Sequence, residues 1–396
     1  MANIQVLNGN RAAAIAAAMC RPDIIAAYPI TPQTPIVEYL AEFVADGFLD
    51  SSVSEVESEL SAMSVVTGAS LAGSRTFTAS ASQGLSLMYE PYFRASTLRL
   101  PIVMAIVNRE MISPQTLWGS PQDSLSVRDA GWLQIYVEDN QEILDTVILA
   151  YRLAEDKNVL LPINVCFDGF YLSHMSERVE IPDQSDVDAF LPQYHPDHIL
   201  LDPKRPMAVD PLTNGYLLTE YRLKHLLAQQ HALHLIEELD QEFAKRFGRS
   251  YGGAIEEYRC DDAEYVIVTM GSMTGVAKDC VDHARDEGKK VGLLKLRLIR
   301  PFPSERVASV LKGKKAFGVV DRNVCFGWNT GITYMEVCAS LNRASSFVPN
   351  IPFIAGLGGE DITARHIDYA IDNIISQAGN TERHETVWLN REVKGL

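Results

Sequence analysis

None of the six cysteines (Cys20, Cys166, Cys260, Cys280, Cys325 and Cys338) stands in a CxxC or CxxxC spacing. Zinc and iron–sulfur sites draw on closely paired ligands, so the sequence predicts no metal site in this chain. If electrons are moved, the clusters must sit on another chain. Buried, reduced thiols are the expected state. No apolar run approaches the roughly 18 residues of a membrane span. The N-terminus has neither the basic nor the apolar region of a signal peptide, and a cytoplasmic protein is expected. Positive charge is also short. Against 51 acidic residues stand 35 Lys and Arg, a net charge of −16, which argues against broad binding to nucleic acid or anionic membranes.

What is present suffices for two or three domains, each with its own core: 396 residues, 47% hydrophobic and 22% charged. From residue 1 to about 185, short apolar strands alternate with helices. Strands are predicted at 24–29, 75–80, 102–108, 133–137 and 161–168, and helices over 10–19, 35–46, 59–73, 83–97, 121–131 and 141–155. That order predicts a parallel sheet covered on both faces. Residues 186–255 read as a connector, Pro- and His-rich at first and then a long polar helix over 217–246. A second α/β unit covers 256–378, and a charged tail, 379–396, is expected to dock on a partner. Gly271 and Gly275 suggest a nucleotide-binding turn, but the spacing is not GxGxxG and the signal is weak. His195, His198, His225 and His231 lie in or near the connector, spaced poorly for a shared metal.

Three stretches could carry chemistry. The first is Ala27-Tyr28-Pro29-Ile30-Thr31-Pro32-Gln33-Thr34-Pro35, between a strand and an amphipathic helix. Its prolines fix φ and remove backbone donors, making the turn rigid. Thr31 and Thr34 put hydroxyls where free helix N–H groups favour anions. A well-capped loop would read the same way. The second is Glu55-Val56-Glu57-Ser58-Glu59-Leu60-Ser61-Ala62, opening a helix of small residues against which a cofactor could lie. Acidic residues there could equally do no more than answer the helix dipole. The third is Val107-Asn108-Arg109-Glu110 at the carboxyl end of an apolar strand, where ligands of parallel sheets bind. Taken alone, Arg109 could simply pair with Glu110.

The Tyr-Pro-Ile-Thr-Pro turn resembles the signature of the alpha subunit of 2-oxoacid:ferredoxin oxidoreductases, thiamine-diphosphate enzymes. Glu-Ser-Glu-Leu-Ser-Ala (57–62) and Gly-Ala-Ser-Leu-Ala-Gly-Ser-Arg-Thr-Phe-Thr-Ala-Ser-Ala-Ser-Gln-Gly-Leu (68–85) resemble the next block of that family. Arg128–Trp132, Asp168-Gly169-Phe170 and Gly356–Ile362 agree with it in order along the chain. The resemblance implies a pyrimidine-binding domain for the cofactor followed by a transketolase C-terminal-like domain. It implies that Glu59 contacts N1′ of the aminopyrimidine, with Tyr28, Pro29 and Ile30 also at the cofactor. It implies that Arg109 clamps the 2-oxoacid carboxylate and that Thr31 hydrogen-bonds the substrate. Thiamine diphosphate would be shared with a beta subunit, Mg²⁺ and iron–sulfur clusters would sit on partners, and CoA would be the acyl acceptor. Gamma- and delta-type subunits and ferredoxin, or another acceptor such as NAD, complete the implied assembly. A subunit serving assembly alone is the competing class, and the retained Thr31, Glu59 and Arg109 speak against it. After Arg109 the chain departs from the pyruvate pattern. Met111 and Trp118 could wall an apolar or aromatic side-chain pocket or equally be core, which leaves open pyruvate and bulkier acids such as phenylglyoxylate, a branched-chain acid or indolepyruvate.

Overall fold

The computed structural model describes residues 3–112, 114–196, 201–380 and 384–394. Its strands in chain order are β1 (Asn3–Asn8), β2 (Ile24–Ala27), β3 (Ser52–Glu55), β4 (Thr76–Ser80), β5 (Val103–Asn108), β6 (Leu133–Tyr136), β7 (Ile163–Asp168) and β8 (Ser176–Ile181). Then follow β9 (Ile255–Tyr258), β10 (Tyr265–Met270), β11 (Val291–Leu296), β12 (Leu298–Arg300), β13 (Ala316–Asp321), β14 (Asn350–Ile354) and β15 (Val387–Trp388). Seven strands form one sheet in the order β12-β6-β7-β5-β4-β2-β3, and six form a second, β15-β14-β13-β10-β11-β9. Pairings in both are parallel except β12 with β6 and β9 with β11. The expected α/β class is what the chain adopts: two mainly parallel sheets covered by helices. β5 and β7 are buried along their whole length, which is why they read as unbroken apolar runs.

The departures from expectation have physical causes. β1 and β8 pair antiparallel outside both sheets, and β1 exposes Ile4 and Val6, so no buried face marks it as a strand. The helix expected over 83–97 is two helices, Gln83–Leu87 and Tyr89–Thr97. The one near 121–131 is short, Gln122–Ser126. The connector helix runs Gly215–Phe247, capped by Asn214 Oδ1, which accepts the Leu217 N–H at 3.0 Å, and ended by Gly248 at φ 74°. Of the connector histidines, His198 lies outside the described residues, while His225 is buried against the Gly131 carbonyl at 2.9 Å. Part of the described tail packs on this chain itself. β15 extends the second sheet beside β14, and Leu389 is fully buried behind it. No helix among the described residues is long and apolar enough to cross a membrane.

The least expected element is β12. β11 belongs to the second sheet, yet one residue later the chain enters the first. Arg297 makes the crossing fully buried, its Nε donating to Glu142 Oε1 at 2.5 Å, while Lys295 Nζ lies 2.7 Å from Glu142 Oε2 and 2.8 Å from Glu138 Oε2. Burial alone would push the Glu142 carboxyl up, but Lys295 and Arg297 hold it below the usual carboxylate range. Lys295 would keep Glu138, but the fully buried Arg297 would lose its carboxylate, so Glu142→Gln is expected to destabilise the chain by about 3–5 kcal/mol. Thermal unfolding of the variant complex beside the parent checks this, and an unshifted transition would contradict it.

Candidate active site

The carboxyl ends of β2, β4, β5 and β7 point to one edge of the first sheet, and the residues singled out from the sequence gather there. β2 feeds the turn Tyr28–Gln33, in which Tyr28, Pro29 and Thr31 are exposed, Ile30 is half-buried, and Pro32 and Gln33 are buried. Gln33 Nε2 donates to the Tyr28 carbonyl at 2.9 Å and to the Ala79 carbonyl at 3.2 Å, tying the turn to β4. Asn10 Nδ2 holds the Pro32 carbonyl from below at 2.9 Å. The Thr31–Pro32 peptide is cis. A turn fixed at three points presents its exposed side chains in one arrangement.

Of the acidic residues near the helix Glu59–Leu71, Glu55 and Glu57 face solvent and Glu59 turns inward at 5% exposure. Burial pushes the Glu59 carboxyl up, its own backbone N–H partly offsetting this, and no cation pairs with it among the described residues. Gly84 permits the approach, since a Cβ there would lie 2.8 Å from Glu59 Oε1. Around it, Thr78 Oγ1, Ser80 Oγ and Gln83 Oε1 are buried without a hydrogen-bond partner among the described residues. Such atoms call for a partner, a water or a ligand, from outside the chain.

Arg109 follows β5 directly and is 4% exposed. Its Nη1 donates to the Thr31 carbonyl and its Nε to the Thr116 carbonyl, each at 3.0 Å. Among the described residues no carboxylate comes within ion-pair distance of the guanidinium, and three of its five N–H groups have no acceptor. Burial pulls its pKa down, Asp123 opposing, and the group stays cationic. Arg109 and Thr31 are thus brought together, and Glu59 stands at the same edge beside β4.

Sequence reading missed Asp123, which orders this edge. Fully buried, it accepts the N–H of Ser82 at 2.9 Å and of Arg109 at 3.0 Å on Oδ2, and Asn108 Nδ2 at 2.8 Å on Oδ1. Burial pushes its carboxyl up to about 6, against those donors. Nothing in the spacing from Arg109 to Asp123 marks it, because the contact depends on the path of the intervening loop. Asp168, at the end of β7, accepts the N–H of Ser272 at 3.2 Å and pairs with Arg322 at 2.6 Å. It therefore occupies the N-terminus of the helix Met273–Asp286, where the suggested nucleotide-binding turn would have held a phosphate. All six cysteines are unpaired, and no group of His, Cys, Asp or Glu among the described residues could hold a metal ion.

Two family models match this chain: pyruvate flavodoxin/ferredoxin oxidoreductase, thiamine diphosphate-binding, over residues 15–241, and pyruvate:ferredoxin oxidoreductase core domain II over 263–367. The NADH-dependent phenylglyoxylate dehydrogenase subunit alpha of Aromatoleum evansii is 48% identical, over 97% of this chain and 94% of its own length. Pyruvate synthase subunit PorA of Methanothermobacter thermautotrophicus is 47% identical over 98% of both. Among solved structures, 2-oxoglutarate:ferredoxin oxidoreductase from Magnetococcus marinus shares the fold with a TM-score of 0.72 at 20% identity, covering 94% of this chain and 66% of its own. With the first model spanning more than half of the chain and relatives matched nearly end to end, the chain belongs to the 2-oxoacid:ferredoxin oxidoreductase family, as the alpha subunit of a multi-subunit enzyme that oxidises 2-oxoacids.

Proposed function

We propose that this subunit binds the 2-oxoacid and the aminopyrimidine of thiamine diphosphate for a CoA-dependent oxidative decarboxylation. The observation that carries the reading is Arg109, a nearly buried cation with three idle donors and no carboxylate partner among the described residues. A planar guanidinium anchored by two carbonyls is preorganised for a carboxylate. The exposed Thr31 hydroxyl orients the acid beside it, and Tyr28, Pro29 and Ile30 line the cofactor side of the turn. The donor set around Glu59 fits the cofactor ring: one carboxyl of raised pKa, no counter-cation, and unmatched polar atoms on Thr78, Ser80 and Gln83. Thiamine diphosphate, when bound, supplies the nucleophile for the keto carbon and the sink for the electron pair that CO2 leaves behind. Glu59 holds and moves the proton at N1′ of the pyrimidine.

The open, exposed face of the Tyr28–Thr31 turn supports sharing of the site with a beta subunit. Mg²⁺ and iron–sulfur clusters belong to partner subunits on this reading, with gamma- and delta-type chains, ferredoxin as acceptor and a cytoplasmic setting. Residues 1–185, 186–255 and 256–378 serve as the cofactor domain, connector and second domain, with 298–300 placed in the first sheet and the tail from 379 joined to the second. The purified native complex, given CoA, a viologen dye and a panel of 2-oxoacids, is expected to reduce the dye with at least one acid. Bound cofactor with no reduction by any acid would refute the reading.

A further inference from the structure

Beside Arg109 the structure builds an aromatic wall that the reaction as described does not use. Arg109 Nε holds the Thr116 carbonyl, and the Glu110 N–H donates to the Trp118 carbonyl at 3.0 Å, so Trp118 is drawn back next to the guanidinium. Two glycines clamp it there. A Cβ on Gly119 would stand 2.6 Å from the Gly169 carbonyl, and one on Gly359 would stand 2.6 Å from Trp118 Cβ. The indole leans on Phe170, centroids 4.8 Å apart at 59°, and Phe170 stacks on His174 at 4.9 Å and 24°.

Phe170 is held at φ 63°, a region that bulky side chains avoid unless the surroundings impose it. Ser173 Oγ accepts the Phe170 N–H at 2.7 Å and lies within hydrogen-bond distance of His174 Nδ1, also at 2.7 Å, which ties the two rings together. Burial pulls the pKa of the His174 imidazole below its ordinary value, favouring the neutral ring. The three rings form a tilted aromatic stack, of which Trp118 remains 54% exposed.

We propose that the Trp118–Phe170–His174 stack is a side-chain subsite of the same active site, and that the chain takes a 2-oxoacid whose keto carbon carries a flat apolar ring. The inference rests on Arg109 holding the carboxylate, as proposed above. With the carboxylate there, the substituent on the adjacent keto carbon falls within reach of the residues flanking Thr116. A methyl group would leave most of the indole face in water, whereas a phenyl ring covers it in the offset or tilted arrangement aromatic pairs prefer. Similarity does not make this choice, since a phenylglyoxylate and a pyruvate relative stand equally close.

The test uses the native complex, phenylglyoxylate and pyruvate as probes, and the variants Trp118→Ala and Trp118→Phe. The parent is expected to prefer phenylglyoxylate in kcat/KM. Trp118→Ala should lower that value by about 10- to 100-fold while altering the pyruvate value by less than about threefold, and Trp118→Phe should recover most of the loss. Equal losses on both acids, no loss, or a complex that falls apart on gel filtration would overturn the subsite, the last marking Trp118 as a subunit contact. A parent that oxidises pyruvate but not phenylglyoxylate overturns the subsite and keeps the general reading. A parent that oxidises no 2-oxoacid overturns both.

Discussion

Glu59→Gln should cut dye reduction by the assembled complex at least about 100-fold, the scale on which a positioned acid–base group acts. Glutamine keeps the length and polarity of the side chain, so Gly84 still accommodates it and the helix Glu59–Leu71 still begins at Ser58. What it loses is the capacity to hold and return a proton at the pyrimidine nitrogen. The raised pKa of this carboxyl, caused by burial, brings its proton affinity nearer to that of a ring nitrogen. Subunit composition and bound thiamine diphosphate are measured in the same preparation. A variant that assembles, loads the cofactor and retains more than about a tenth of the activity would remove Glu59 from the proton path.

Arg109→Ala is expected to lower kcat/KM for every 2-oxoacid by about 100-fold or more. Two hydrogen bonds from a cation to a carboxylate are worth roughly 1.5–3 kcal/mol each, and about 1.4 kcal/mol is tenfold. Because Arg109 also holds the carbonyls of Thr31 and Thr116, alanine loosens the turn as well as removing the charge. Arg109→Lys separates the two effects. It keeps a cation but not the planar fork, so it should restore only part of the loss, with KM for the acid remaining high. Steady-state kinetics with the acid and with CoA varied separately check this. An unchanged KM for the acid beside a raised KM for CoA would assign Arg109 to the other substrate.

The parallel sheet of the first domain was legible because its central strands, β4, β5 and β7, are buried on both faces and bounded by helical patterns. Tyr28–Thr31 and Arg109 stood out as motifs after apolar strands, and Glu59 as one opening a helix of small residues. That Glu59 rather than Glu57 turns inward was not a matter of periodicity. It depends on Ser58 capping the helix and on the small Gly84 opposite. Asp123 was invisible because its donors, on Ser82, Asn108, Arg109 and its neighbour Ser124, come from three separate segments. β12 was invisible for a simpler reason: three residues carry no periodicity, and its pairing with β6 joins positions more than 160 residues apart. That the tail would add a strand to the second sheet was hidden by its charge, since the buried Leu389 and the pairing of Val387 with Phe353 depend on tertiary contacts.

The crossing at Arg297 bears on how such a protein can be rearranged in evolution or by engineering. A graft that exchanged the second domain for a relative's would also replace the outermost strand of the first sheet. The acceptor's β6 would then have to pair with a foreign Leu298–Arg300, and its Glu142 would have to meet a foreign Lys295 and Arg297. Cutting the chain between the domains would bare the β6 edge, a template for pairing with other chains. The two halves are therefore inherited as one piece, and recombination among these subunits is expected to succeed at the loops around the active site sooner than at the boundary between the sheets.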